Sequence, residues 1–584
     1  MYSKLFIHLK KAVNAILLLI FVLSLTTPTA SAISQGSSFI VTGTSLDTVT
    51  GAVRRVGGTV VEPFSSITGV VARLSQAEAD RLAAQPGIAS VFPEGEIVTQ
   101  STEEWDDSGA FVDTSPSTDY PNTTGADRVW AQGITGEGVT VAILDTGISN
   151  QSGLLNGADG SQSRLVAWVD LVDEGNKTPV DPNGHGTHIA GIIANSQTGA
   201  DGEWNGVAPG VNLVSIRVLD EQGKGTYQTA IKGIEWVIDH KDEYNIRVMN
   251  LSLVASVQSP YWADPLNQAI MHAWAEGITV VVAAGNTGSD PMSVGVPGNN
   301  PYVITVGAYT DNYTPSDWSD DYIAPFSSSG PTQDGFVKPD VVAPGAHMVS
   351  TMLPDTYIAK SQEAKRVTNE YFSMAGTSQA AGVVTGIAAL MLANNGNLSP
   401  DEVKYRLMNT ALPWTDVVDG TSYDVWQQGS GRVNAATAVF AKISGAANRG
   451  MDIQADMNGA DHYAGYAYFD ERTEEIKLHG YDTASSSYGL WSGSYGLWSG
   501  SYGLWSGSYG LWSGSYGLWS GSYGLWSGSY GLWSGSYGLW SGSYGLWSGS
   551  YGLWSGSYGL WSGSYGLWSG SYGLWSGSYG LWSG

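Results

Sequence analysis

Four short runs of this chain carry side chains that can do chemistry together. Val141-Ala142-Ile143-Leu144 ends in Asp145-Thr146-Gly147, and Asn183-Gly184-His185-Gly186-Thr187-His188 opens a second apolar stretch. Ala283-Ala284-Gly285-Asn286-Thr287-Gly288 follows the apolar run Ile278 to Val282, and Gly376-Thr377-Ser378-Gln379-Ala380 leads into Ala381 to Leu392. Taken singly, each has an ordinary explanation. A strand-end Asp makes turns, Asn-Thr-Gly is a turn, and Thr377 or Ser378 can simply cap a helix. Taken together they supply a carboxylate, an imidazole, an amide donor and a hydroxyl at the mouth of a helix, where unpaired N–H groups stabilise a forming anion. An imidazole outside an apolar setting suits proton transfer. The chain order Asp, His, Ser is one of the known orders of a nucleophilic triad.

Two other chemistries compete. His185 and His188 could ligate a metal, but no Glu lies between them as a zinc peptidase requires. Asp-Thr-Gly also presents the carboxylate of aspartic peptidases, which need two such loops. The other candidate, Asp107-Ser108-Gly109, follows Glu103-Glu104-Trp105-Asp106 rather than an apolar strand.

Elements that would position these groups alternate in type from Gly125 onward. Strands are expected at Val139 to Leu144, Val211 to Leu219, Val248 to Leu253, Ile278 to Ala283, Tyr302 to Gly307 and Val341 to Ala343. Helices are expected at His185 to Asn195, Thr226 to His240 and Pro265 to Glu276. Ser378 heads a further helix that is small or apolar all round, as a helix through the middle of a domain would be. Such β-α-β order implies a mainly parallel sheet covered by helices on both faces, with its site beyond the carboxyl ends of the strands. Residues 38–99 read instead as a small α+β unit, two helices on one face of an antiparallel sheet. Gln100 to Thr124, rich in Ser, Thr, Asp and Pro, reads as an exposed linker.

With those motifs in hand, the chain resembles the subtilisin-like serine peptidases over roughly Gly125 to Ala446. The resemblance implies a three-layer α/β domain in which Ser378 attacks the peptide carbonyl, His185 moves the proton and Asp145 steers the imidazole, with Asn286 as oxyanion donor. It implies that Gly223-Lys224-Gly225 and Leu251-Ser252-Leu253 are edges clasping an extended polypeptide substrate, and that Gly295 floors the primary pocket. The unit at Phe39 to Val98 resembles the family's pro-segment, an intramolecular inhibitor whose last residues occupy the cleft. No cofactor is required for the chemistry. A structural calcium is left without assigned ligands, since Ile148-Ser149-Asn150-Gln151-Ser152-Gly153 lacks the acidic residue of the family's strong site. The chain departs from the family at Val254, where a Gly is usual and a β-branched wall should narrow the pocket. It also departs at Gln379, where a Met is usual, and at Gly382, where a Pro is usual.

Composition narrows the setting. Asp and Glu number 53 against 26 Lys and Arg, a net charge of −27, which argues against a nucleic-acid partner. There are no cysteines, so disulfides and thiolate chemistry are excluded. Lys4, Lys10 and Lys11, the apolar run Ala15 to Leu25 and Ala30-Ser31-Ala32 have the pattern of a cleaved export signal, which predicts a secreted protein. The expected organisation is a leader at 1–32, pro-segment and linker at 33–118, peptidase domain at 119–446, a linker at 447–486 and a repeat region at 487–584. That last region is Ser-Tyr-Gly-Leu-Trp-Ser-Gly in fourteen copies. An odd period reverses the faces of a continuous strand at each copy, so a turn at Ser-Gly is expected, with Tyr opposite Leu across strands of a meander or solenoid. Uncharged rows of Trp and Tyr suit binding to glycans, to a cell surface or to themselves. The rival class is a non-catalytic adhesive protein in which the repeat is the function and the peptidase-like part a scaffold.

Overall fold

The computed structural model describes residues 36–99, 118–155, 163–315, 317–414, 423–470 and 475–478, together with the backbone of the repeat strands between 488 and 583. The expected leader and most of the first linker lie outside the described residues.

The central sheet runs in the order Tyr322–Ile323, Ile304–Thr310, Thr279–Ala283, Ile246–Leu251, Thr140–Asp145, Asn212–Arg217, Leu165–Asp170, with Val341–Pro344 also paired to Ile304–Thr310. All pairings are parallel except that of Tyr322–Ile323. Thr140–Asp145 and Thr279–Ala283 are buried along their whole length. That explains why they read as unbroken apolar runs rather than alternating ones. The helix Thr377–Asn394 is buried from Thr377 to Leu392 and packs on the sheet and on the helix His185–Ala194. Its small residues permit this: a Cβ on Gly386 would stand 2.6 Å from Val207 Cβ.

Residues 36–99 form their own layer pair. Strands Thr59–Phe64, Gly69–Leu74, Ser37–Gly43 and Ile88–Pro93 lie antiparallel in that order. The helices Leu46–Val56 and Gln76–Ala83 complete the unit. Phe39, Val41, Val49, Val53, Val70, Leu74 and Leu82 make a core separate from that of the main domain. Ser45 accepts from Thr48 N at 3.1 Å to start the first helix, and Ser75 with Glu78 forms a capping box at the second.

Residues 447–470, expected as part of a linker, are packed onto the main domain. Asp456, on the short helix Ile453–Met457, is buried and accepts from Tyr261 OH at 2.5 Å and Tyr302 OH at 2.9 Å. His462 Nδ1 lies 2.8 Å from the same carboxyl group, and its ring stacks on Trp262 at 4.1 Å.

In the repeat, six strands are Tyr-Gly-Leu-Trp-Ser, while Tyr516–Ser527, Tyr530–Ser541, Tyr544–Ser555 and Tyr558–Ser569 each span two copies and continue through the Ser-Gly that was expected to turn. Each copy pairs in parallel with the copy two repeats later: Tyr488 with Tyr502, Tyr495 with Tyr509, and so on to Tyr565 with Tyr579. Every residue registers with its own kind. The expected Tyr–Leu pairing is therefore replaced, because it required antiparallel neighbours.

Candidate active site

At the carboxyl ends of the parallel strands the four motifs meet in two pairs, Asp145 with His185 and the Asn286 loop with the helix start at Thr377 and Ser378. Asp145 ends its strand and His185 begins its helix, and both side chains are fully buried. His185 Nδ1 donates to the Asp145 carboxylate, 2.8 Å from Oδ1 and 3.0 Å from Oδ2. This fixes the ring and its tautomer. The other ring nitrogen, Nε2, is buried and has no hydrogen-bond partner among the described residues.

Ser378 is the second residue of its helix and is 2% exposed. Its hydroxyl donates to the Ser252 carbonyl at 3.3 Å, while Ser252 Oγ donates to the Ser378 carbonyl at 3.0 Å. Among the described residues that hydroxyl is bonded to Ser252 and not to His185. The Asn286 side-chain oxygen accepts from Thr377 N and Thr377 Oγ1, both at 2.9 Å, which fixes the amide beside the helix start that carries Ser378. Gly285, at φ +117°, makes the bend that brings Asn286 there.

His188 takes no part in a metal pair. Its Nε2 donates to the carbonyls of Met348 (3.0 Å) and Phe372 (3.1 Å), stitching the helix to the hairpin Met348–Thr351 and Tyr371–Met374. Burial pushes its pKa down to about 3, so it stays a neutral donor.

The cleft contains part of the chain itself. Glu96–Val98 pairs antiparallel with Lys224–Thr226, matching Ile97 to Gly225 and Val98 to Lys224. Thr99 N donates to Gly223 O at 2.9 Å. On the other side Val98 and Val254 exchange two hydrogen bonds, Val98 N to Val254 O at 3.0 Å and Val254 N to Val98 O at 2.9 Å. An extended segment is thus held main chain to main chain between two edges, the β-augmentation mode. On that side the bonds come from Val254, the residue that follows the expected edge Leu251-Ser252-Leu253. Leu251 and Leu253 are wholly buried in the core, and Ser252 serves Ser378. Gly295, the expected pocket floor, lies against Val254, the expected wall. A Cβ there would stand 2.5 Å from Val254 Cγ1 and 2.8 Å from the Ala255 carbonyl, so the glycine admits the bulk of Val254. Gln379 is buried with its amide nitrogen 4.0 Å from Met374 Sδ.

Among the described residues, Asp119, Asp311 and His347 are the one cluster of three His, Asp or Glu side chains close enough to share an ion, their ligand atoms lying within 4.8 Å of one another. An imidazole with two carboxylates is not the oxygen set that calcium takes. His347 Nε2 already contacts Asp311 Oδ1 there.

A mainly parallel α/β domain, with an Asp-bound imidazole and a helix-start serine around a strand-clasping cleft, defines a serine endopeptidase of the subtilisin-like class. Comparison with known proteins agrees: the profile described as "Subtilase family" matches residues 136–462. The chain is 42% identical to "Serine protease AprX" of Bacillus subtilis (strain 168) over 313 residues, 53% of this chain and 67% of that protein. It is 36% identical to "Subtilisin DY" of Bacillus licheniformis over 317 residues, 54% of this chain and 95% of that protein. Against "Alkaline elastase YaB" of Bacillus sp. (strain YaB) it is 31% identical over 381 residues, 65% of this chain and 81% of that protein. The chain belongs to the subtilase family.

Proposed function

We propose that the chain is the precursor of a secreted endopeptidase in which Asp145, His185 and Ser378 form the triad and residues 36–99 act as pro-segment. Ser378 Oγ attacks the scissile carbonyl while His185 Nε2 takes its proton. The tetrahedral oxyanion faces Asn286 and the Ser378 N–H. Collapse breaks the C–N bond, His185 returns the proton to the leaving amine, and water then repeats the sequence on the acyl-enzyme. Asp145 steers the imidazole and stabilises its cationic form.

The observation that carries this reading is the buried imidazole, bound to Asp145 through one nitrogen and left without a partner at the other. The clasped segment Glu96 to Thr99 supports the inhibitor role of the pro-segment, since it fills the strand position that a substrate would take. A fluorophosphonate probe should label Ser378 and lose that label in Ser378→Ala. An unlabelled, properly processed protein would favour the adhesive scaffold instead.

The repeat is a β-solenoid in this proposal, two heptapeptides to a 14-residue coil, as the register of Tyr488 with Tyr502 implies. It attaches the enzyme to glycans, a cell surface or other copies. A tail-deleted enzyme that cleaves soluble peptide normally and still binds insoluble polymer like the full chain would rule this out.

A further inference from the structure

We infer that Asp181 is a positioning residue for peptide hydrolysis: its buried carboxylate joins the turn that follows Asp145 to the helix start that carries His185. The inference rests on the triad proposed above. Asp181 is 4% exposed. Its Oδ1 accepts from Thr146 Oγ1 at 2.8 Å, Gly184 N at 2.8 Å and Asn183 N at 3.2 Å. Its Oδ2 accepts from Thr187 N at 2.8 Å and Thr187 Oγ1 at 2.7 Å. The donors flank both reacting partners: Thr146 directly follows Asp145, while Asn183, Gly184 and Thr187 bracket His185.

A second link runs through the same hydroxyl. Gly186 N donates to Thr146 Oγ1 at 2.9 Å, and that hydroxyl passes its own proton toward Asp181. The residue after the base is therefore tied to the residue after the acid, and both to one carboxylate. The two segments touch with no room for a side chain. A Cβ on Gly186 would stand 2.2 Å from the Gly147 carbonyl oxygen and 3.2 Å from Asp145 Cβ. Burying a carboxylate is costly unless it is fully hydrogen-bonded. Here burial raises the Asp181 pKa, and hydrogen bonds from Gly184, Thr187 and Thr146 oppose that rise. A simple turn needs one or two of these bonds. Five such bonds, three from backbone N–H groups and two from the Thr146 and Thr187 hydroxyls, brace the segments around Asp145 and His185 and hold the Nδ1–carboxylate geometry, on which proton transfer depends.

The test uses the mature enzyme on a soluble peptide, with Asp181→Asn, Thr146→Val and Thr146→Ser. Asp181→Asn turns an acceptor toward Thr187 into a donor, and Thr146→Val removes the shared hydroxyl, which Thr146→Ser keeps. Both disruptive variants should lower kcat between about ten- and a hundredfold with KM within about twofold. They should also move or broaden the low-field proton resonance of His185 Nδ1–H, and Thr146→Ser should retain both properties. If Asp181→Asn does not fold, the two Thr146 variants decide. An unchanged kcat, an unmoved resonance, or a loss shared equally by Thr146→Ser overturns the inference. The triad proposal fails separately, if Ser378→Ala or His185→Ala keeps normal activity.

Discussion

Replacing Val98 by Pro in the pro-segment tests the clasp most directly. Val98 donates its N–H to the Val254 carbonyl at 3.0 Å and accepts from Val254 N at 2.9 Å. Proline removes the first bond and leaves the second, and it fits an extended position. The Val254 carbonyl is then shut away from water without a donor, which costs about 1 to 3 kcal/mol. At about 1.4 kcal/mol per decade, the inhibition constant of the separately added pro-segment should rise about 5- to 150-fold. The Lys224–Glu96 ion pair of the same segment is also close, at 2.9 Å, but both side chains are more than half exposed. Exposed pairs contribute little, so Glu96→Gln should change the constant less than threefold. The assay is progress-curve inhibition of the mature enzyme on a chromogenic peptide. If Val98→Pro shifts the constant less than twofold, or Glu96→Gln shifts it more than Val98→Pro does, the backbone clasp does not govern binding.

Three further outcomes follow from buried groups, the first two measured in a Ser378→Ala background to prevent self-digestion. Burial pushes Asp264 up to about 6, so the folded chain keeps a proton there that the unfolded chain sheds near pH 4. Its stability contribution is therefore full below about pH 4 and is lost as pH rises through about 6. In urea unfolding, Asp264→Asn should gain on the parent by roughly 2 to 3 kcal/mol between pH 4 and pH 7.5, and parallel profiles would refute this. Arg164, 5% exposed, donates to the carbonyls of Gly153, Ala194, Pro209 and Val211. Arg164→Met removes the guanidinium donors from these carbonyls, of which Gly153 keeps Ser196 N at 2.9 Å, and should lower the unfolding free energy by about 3 to 5 kcal/mol. In the active enzyme, Gln379 leaves no oxidisable sulfur next to Ser378 in the chain, so mild peroxide should spare activity. Half the activity lost within minutes, with Met374 unoxidised by mass spectrometry, would contradict that.

The strands that position the site were legible because burial on both faces makes them plain apolar runs, and the four motifs because each sits where a strand ends or a helix begins. Other parts were hidden for physical reasons. Leu165–Asp170 lies at the sheet's margin with Trp168 45% exposed, so its pattern is neither continuous nor cleanly alternating. The docking of 447–470 depends on a buried aspartate held by tyrosine hydroxyls, and a polar stretch of that kind reads as a linker. Asp181-Pro182-Asn183-Gly184 looks like any turn, and only the coordinates reveal that its first residue ties together two segments 35 residues apart. Gly295 was legible as a required glycine, but its closeness to Val254 shows only in the fold.

The like-with-like register of the repeat limits how its length can vary. In the proposed solenoid two copies complete a coil, so gaining or losing an even number of heptapeptides would lengthen or shorten the stack and leave its ends alike. An odd change would finish on a half-turn, with one of the two rows a strand short. Because each exposed terminal coil has the same sequence as every internal one, the end of one stack offers the hydrogen-bonding edge that another needs. On that proposal copy number sets both the reach of the appendage and the shape of the face it offers to a second molecule.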